Sequence, residues 1–141
     1  MGQCIAVVSG KGGTGKTSFT AGVGAALALS GLRVLCVDCD IGLRNLDIAL
    51  GLSDAALMDF SDVAQQRCTL ERAVVSHPQL AKLSLLTAPI RQRGQPVTGE
   101  QMASLLRAVR IQYDFCLLDA PAGLGDGFLL ATAAADRCVV V

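Results

Sequence analysis

Eight residues, Gly10 to Thr17 (GKGGTGKT), restrict what this chain can fold into more than any other stretch. They fit G-x-x-x-x-G-K-[ST], with an apolar run (Ile5, Ala6, Val7, Val8) before them and a helix-compatible run after them. Gly10, Gly12, Gly13 and Gly15 let successive backbone N–H groups turn inward around an anion without Cβ clashes. Together with Lys11, Thr14 and Ser18 they form the expected cradle, and the positive end of the following helix adds to its pull on phosphate. Lys16 is expected to reach the outer phosphates, and the Thr17 hydroxyl to take one position on Mg²⁺. The alternative is a glycine-rich turn that merely joins a strand to a helix, and the flanking runs weigh against it.

Around that loop the chain reads as strands buried on both faces alternating with helices. Gln3–Ser9 is continuous rather than alternating and Arg33–Asp38 is nearly all apolar, the pattern of a parallel sheet covered on both sides; Lys82–Ala88, Tyr113–Asp119 and Arg137–Val141 read as three further strands. Lys16 to Ser30 reads as a helix with Phe19, Val23, Ala26, Leu27 and Ser30 at spacings of three and four, stopped by Gly31. Thr98-Gly99-Glu100-Gln101 fits a capping box opening a helix with Met102, Leu105, Leu106 and Val109 on one face. A last short helix spans Phe128 to Ala135. Residues 51–82 are less patterned: one short helix around Leu57, Phe60, Val63 and Ala64, another around Leu70, Ala73 and Val74, broken at His77-Pro78. His77 is most simply a loop residue.

Two strands end in acid. Arg33–Asp38 leads into Asp38-Cys39-Asp40, and Tyr113–Asp119 delivers Asp119 after four apolar residues. In an open α/β sheet such carboxylates project into the crevice beyond the carboxyl edge, where ligands bind. Asp38 and Asp119 could support the water shell of Mg²⁺, and Asp40 could position a water for attack on a γ-phosphate. Equally, Asp40 could cap a loop while Asp38 only ends a strand.

Composition narrows the classes. Twelve basic and twelve acidic residues cancel, so no global field favours nucleic acid or anionic membrane, and the loop arginines Arg91 and Arg93 lack interleaved aromatics. No apolar run approaches the roughly 20 residues of a membrane span, and the first residues do not form a signal peptide, so a cytosolic location is expected. Of six cysteines, Cys4, Cys36, Cys116 and Cys138 sit in apolar strand-like runs and read as buried thiols. Cys36-Val-Asp-Cys39 spells C-x-x-C, but residues three apart on a strand face opposite ways, which disfavours paired chemistry.

Lys11 stands directly after the first glycine, where an ordinary phosphate loop needs no cation. With it the loop reads KGGTGKT and resembles the deviant phosphate-loop ATPases of the MinD and ParA family, which include the nitrogenase iron protein. The stretch DCDIGLRNLD, Asp38 to Asp47, is closer to the MinD branch, and Asp119-Ala120-Pro121-Ala122-Gly123 resembles the family's D-x-P-A-G second switch. The resemblance covers essentially the whole chain. It implies a doubly wound, mostly parallel sheet with helices on both faces, binding ATP and Mg²⁺, and a homodimer formed on ATP binding in which Lys11 reaches the partner's nucleotide. It further implies that Asp40 orients the attacking water and that Asn45 touches the switch or the dimer partner. MinC-like and MinE-like regulators, a role in division-site placement, and peripheral membrane contact through a C-terminal helix beyond Val141 follow from the same resemblance. On that expectation residues 1–141 are one phosphate-loop domain, the N-terminal portion of a longer protein, interrupted after the fifth strand. Other branches would change the cargo to DNA, flagellar number or an iron-sulfur cluster; the last requires cysteines near the second switch, and Ala120 to Gly127 has none. A nucleotide-dependent interaction module without turnover is the remaining alternative.

Overall fold

The computed structural model describes residues 1–10, 15–53, 55–92, 94–123 and 125–141. Lys11, Gly12, Gly13 and Thr14 of the glycine loop lie outside the described residues, as does Arg93. Among those described, six strands form one sheet: β1 (Gln3–Val8), β2 (Val34–Asp38), β3 (Val75–Ser76), β4 (Leu83–Leu86), β5 (Phe115–Asp119) and β6 (Arg137–Val140). Their spatial order is β3-β4-β2-β5-β1-β6, parallel throughout except for β3 against β4. Parallel neighbours require long crossovers. These run through α1 (Lys16–Leu29) after β1, α5 (Gly99–Gln112) after β4 and α6 (Asp126–Ala134) after β5. Three short helices, α2 (Asn45–Ala49), α3 (Phe60–Ala64) and α4 (Leu70–Ala73), fill the connection from β2 to β3.

The doubly wound expectation holds, because successive side chains of the central strands serve two cores. Val34 and Cys36 of β2 and Leu117 of β5 join the layer that holds Ala21, Ala28 and Leu46 of α1 and α2. Leu35, Val37, Cys39, Cys116 and Leu118 join the opposite layer with Phe60, Met102, Leu105, Leu106 and Val109. A strand buried on both faces has no polar side to show, which is why these runs were continuous in the sequence. Cys36 and Cys39 thus fall on opposite faces, and burial pushes the Cys36 thiol up to about 12.

Helix α5 follows its expected pattern. Thr98 Oγ1 accepts from the Gln101 amide at 3.1 Å and Gln101 Oε1 accepts from the Thr98 amide at 3.0 Å, and the buried residues are the four named from spacing. Helix α1 departs from it. Its buried face is Lys16, Thr20, Ala21, Gly24 and Ala28, whereas Phe19 is 39 % exposed and Ala26 and Ser30 face solvent. The reason is close approach: a Cβ on Gly24 would lie 2.7 Å from Cys36 Sγ, so the smallest residues, not the most apolar, meet the sheet.

Three further differences have local causes. β3 is two residues long and carries no readable period, while α2 is five residues inside what reads as a loop. The strand at Arg137–Val141, expected to be buried, forms β6 over residues 1–141, which pairs with β1 among the described residues, with its side chains and Cys138 exposed. An apolar run identifies a strand but not whether a layer lies over it. No helix among the described residues is long and apolar enough to cross a membrane.

Candidate functional site

Strands β2, β5 and β1 lie side by side at the centre of the sheet, and their carboxyl ends bring the separated motifs together. Asp38 pairs in register with Asp119, and Asp119 with Val7 on its other side. The glycine loop leaves the end of β1, and α1 begins at Lys16 behind Gly15, which sits in the left-handed region at φ 81°. Glycine adopts that conformation without Cβ strain. The first turn of α1 has no side-chain cap and no acidic residue. The N-terminal N–H groups and dipole of a helix favour an anion.

The Lys16 ammonium is buried (8 % exposed) and forms an ion pair with Asp119 Oδ1, while Thr17 Oγ1 donates to Asp119 Oδ2 at 2.9 Å. Asp119 itself is 2 % exposed. Two residues adjacent in sequence at one end of the chain thus meet a carboxylate more than a hundred positions away. Ser18 and Gly10 are exposed, Ser18 lining a cleft of about 400 Å³ between α1 and α2.

The second acid-tipped strand is organised differently. Asp38, 1 % exposed, accepts the Asp40 amide on Oδ1 at 2.9 Å and the Leu46 amide on Oδ2 at 3.2 Å. Burial raises its carboxyl to about 6, opposed by those two hydrogen bonds and reinforced by the charges of Asp119 and Asp40. Asp40 is half-buried. Burial raises its carboxyl too, the nearby Lys16 charge lowers it and Asp119 raises it, so Lys16, Asp40 and Asp119 share one electrostatic environment. Asn45 is exposed at the start of α2, where Arg44 takes the left-handed backbone at φ 50°.

Two contacts that were not read from the sequence hold this edge. The Gly42 amide donates to the Pro89 carbonyl at 3.1 Å, tying the loop after β2 to the segment after β4, and Gly42 has φ 98°. At Gly127 a Cβ would come within 2.7 Å of Pro121 Cγ and 3.8 Å of the Cys39 carbonyl, so the start of α6 closes on both switch-like loops. Glycines at fixed offsets from the aspartates were the available signal. His77 has a turn role: its Nδ1 accepts the Gln79 and Leu80 amides at 3.1 Å.

An ammonium and a hydroxyl on one buried carboxylate, at the N-terminus of a helix, suit a phosphate and a hard, oxygen-seeking cation. The fold is that of a phosphate-loop α/β protein, a mostly parallel sheet with helices on both faces. The chain belongs to the AAA domain family, whose model matches residues 2–141. It is 41 % identical over its whole length to the septum site-determining protein MinD of Synechocystis, of which it spans 53 %. MinD in the MinC:MinD cell division protein complex of Aquifex aeolicus superposes with a TM-score of 0.87 at 38 % identity, covering 98 % of this chain and 55 % of that one. MinD of Pyrococcus horikoshii, complexed with Mg-ADP, gives 0.84 at 31 % identity, over all of this chain and 58 % of that one. The chain therefore spans about half the length of the MinD proteins it matches, corresponding to their N-terminal half.

Proposed function

We propose that this chain is the nucleotide-binding part of a MinD-like ATPase that hydrolyses ATP to ADP and phosphate. One observation carries the reading: Lys16, Thr17 and Asp119 meet at the carboxyl edge although the sequence holds them far apart. In it Lys16 holds phosphate charge, and Thr17 with Asp119 supplies oxygen ligands for Mg²⁺, directly or through water. Magnesium, when bound, neutralises charge on the phosphate oxygens. Asp40 orients the attacking water from the loop after β2. Catalysis of this kind is positioning and charge stabilisation, with little covalent work for the protein.

The expectations on Lys11, Gly12, Gly13 and Thr14 rest on the motif. By it Lys11 acts across an ATP-gated homodimer, and ordering of both switch loops by the γ-phosphate makes hydrolysis a timer. That a relative binds Mg-ADP and another is complexed with MinC supports nucleotide use and a MinC-like partner. Division-site placement, a MinE-like regulator and a cytoplasmic location with peripheral membrane association of the whole protein complete the proposal. Residues 1–141 act in it as one domain.

The test is phosphate release from MgATP compared between this chain and Lys16→Ala, alongside binding of a fluorescent ADP analogue. Release that falls to background in the variant supports an ATPase. Equal release with nucleotide binding intact favours an interaction module without turnover, and no binding by either protein overturns the site.

A further inference from the structure

The end of β2 presents a carboxylate whose geometry differs from that of its neighbour in the sheet. Asp38 and Asp119 are register partners, both almost fully buried, and both at the edge where a nucleotide would lie. A residue so placed would be expected in the magnesium shell. Yet each carboxylate oxygen of Asp38 already accepts a backbone N–H from the loop that follows, Oδ1 from Asp40 and Oδ2 from Leu46. Asp119, by contrast, is held by two side chains, the ammonium of Lys16 and the hydroxyl of Thr17.

The two amides that Asp38 takes are at opposite ends of the segment 40–46. One belongs to Asp40. The other belongs to the first turn of α2, whose cap residue Arg44 offers no side-chain acceptor. Helix α2 has only five residues, too short to be stable on its own, so its start depends on an external acceptor. Leu46 is also fully buried in the α1 layer, which anchors that end of the segment to the core. A charged acceptor makes hydrogen bonds roughly twice as strong as a neutral one. Removal of the Oδ2 acceptor would leave the buried Leu46 amide unsatisfied, and removal of Oδ1 would release the part-buried Asp40 amide.

We propose that Asp38 is a positioning residue that clasps the loop after β2 from both ends and thereby places the Asp40 carboxylate beside Lys16 and Asp119. It acts on the nucleotide through Asp40 and not as a ligand of the metal. The inference takes the site to be a nucleotide site, but the clasp is measurable whether or not the chain turns over. Gly42, tied to the Pro89 carbonyl at 3.1 Å, holds the middle of the same segment, so three tethers define the loop and Asp38 provides two of them.

The experiment compares the chain with Asp38→Asn and Asp38→Ala by amide hydrogen exchange, with and without MgADP, and by titration of Mg²⁺ against a fluorescent ADP analogue. Asparagine keeps one acceptor and alanine keeps none. The expected result is graded: exchange in segment 39–46 about tenfold faster in Asp38→Asn and faster still in Asp38→Ala, with β5 and α5 unchanged. The Mg²⁺ concentration for half-maximal analogue binding then stays within about twofold of the parent, since the metal's ligands are intact. Unchanged exchange in segment 39–46, or a general loss of protection across the sheet, overturns the clasp. A tenfold shift in the Mg²⁺ midpoint overturns the exclusion of Asp38 from the metal shell. If the alanine variant does not fold, the asparagine variant decides alone by the same criteria. Loss of analogue binding by the parent chain sinks the nucleotide reading while the exchange comparison still judges the clasp.

Discussion

Two neighbouring strands of this sheet end in the same residue type at the same level, and the two ends are used differently. At the tip of β5, Asp119 gathers side chains from α1, the Lys16 ammonium and the Thr17 hydroxyl. At the tip of β2, Asp38 gathers backbone from its own following loop, the Asp40 and Leu46 amides. Burial does not separate them, since they are 2 % and 1 % exposed. The partners do. A carboxylate held by charged and hydroxyl side chains can exchange them for a ligand by rotamer changes, whereas one held by two backbone amides fixes the path of the chain. What a strand-end acid does is therefore set by what lies above it, and not by its position on the sheet.

The largest effect expected is at Asp119. Replacing it by asparagine leaves the Lys16 ammonium buried without its counter-charge, which in comparable buried pairs costs about 3 to 5 kcal/mol. A thermal melt should show a drop of that order together with loss of nucleotide binding. An unchanged melting temperature would mean that the Lys16–Asp119 pair adds nothing to stability and that the contrast between the two tips is not energetic.

A pH series sharpens the contrast at Asp38. Its carboxyl is raised to about 6 from an ordinary value of 3.8, so ionisation opposes folding, and the folded protein retains a proton that the unfolded chain has lost between those two values. Stability from this group is fully present below about pH 4 and is lost as pH rises through about 6. Relative to the parent, Asp38→Asn should therefore gain stability between pH 4 and 6, by on the order of 2 to 3 kcal/mol, and show no further change above. Denaturant melts at half-unit pH steps would reveal it, and a difference that is flat across that range would contradict the raised carboxyl.

Thr17→Val removes one hydroxyl donor from Asp119 while leaving Lys16 in place. It should cost about 1 kcal/mol in urea melts, and raise the Mg²⁺ requirement for ADP binding without altering the loop after β2. A matching change in hydrogen exchange at residues 39–46 would show that the two strand tips are not independent. The smallest effect calibrates the others. Thr98→Ala deletes the cap of α5, away from this edge, and should lower stability by about 1 kcal/mol with nucleotide binding untouched.

Much of the architecture was legible because buried parallel strands and phosphate loops leave strong local traces. The capping box at Thr98 and the buried face of α5 could be read residue by residue, since a helix end and a 3.6-residue period are local properties. The face of α1 could not. It is rich in alanine and glycine all round, and the choice of Gly24 as the contact was made by Cys36 and Leu83 on the other side of the interface. β3 and α2 were missed because two and five residues carry no period, and their hydrogen bonds come from β4 and from Asp38.

By itself the sequence determined which of the longer apolar segments are strands, which stretches carry glycines, and which strands end in acid, because these depend on residues close together along the chain. Only the tertiary structure decided that Lys16 and Thr17 meet Asp119 while Asp38 turns to its own backbone, and that Gly24 is where α1 meets the sheet. Those outcomes depend on strand order and on which layer covers which face, and neither is written in any single stretch of residues.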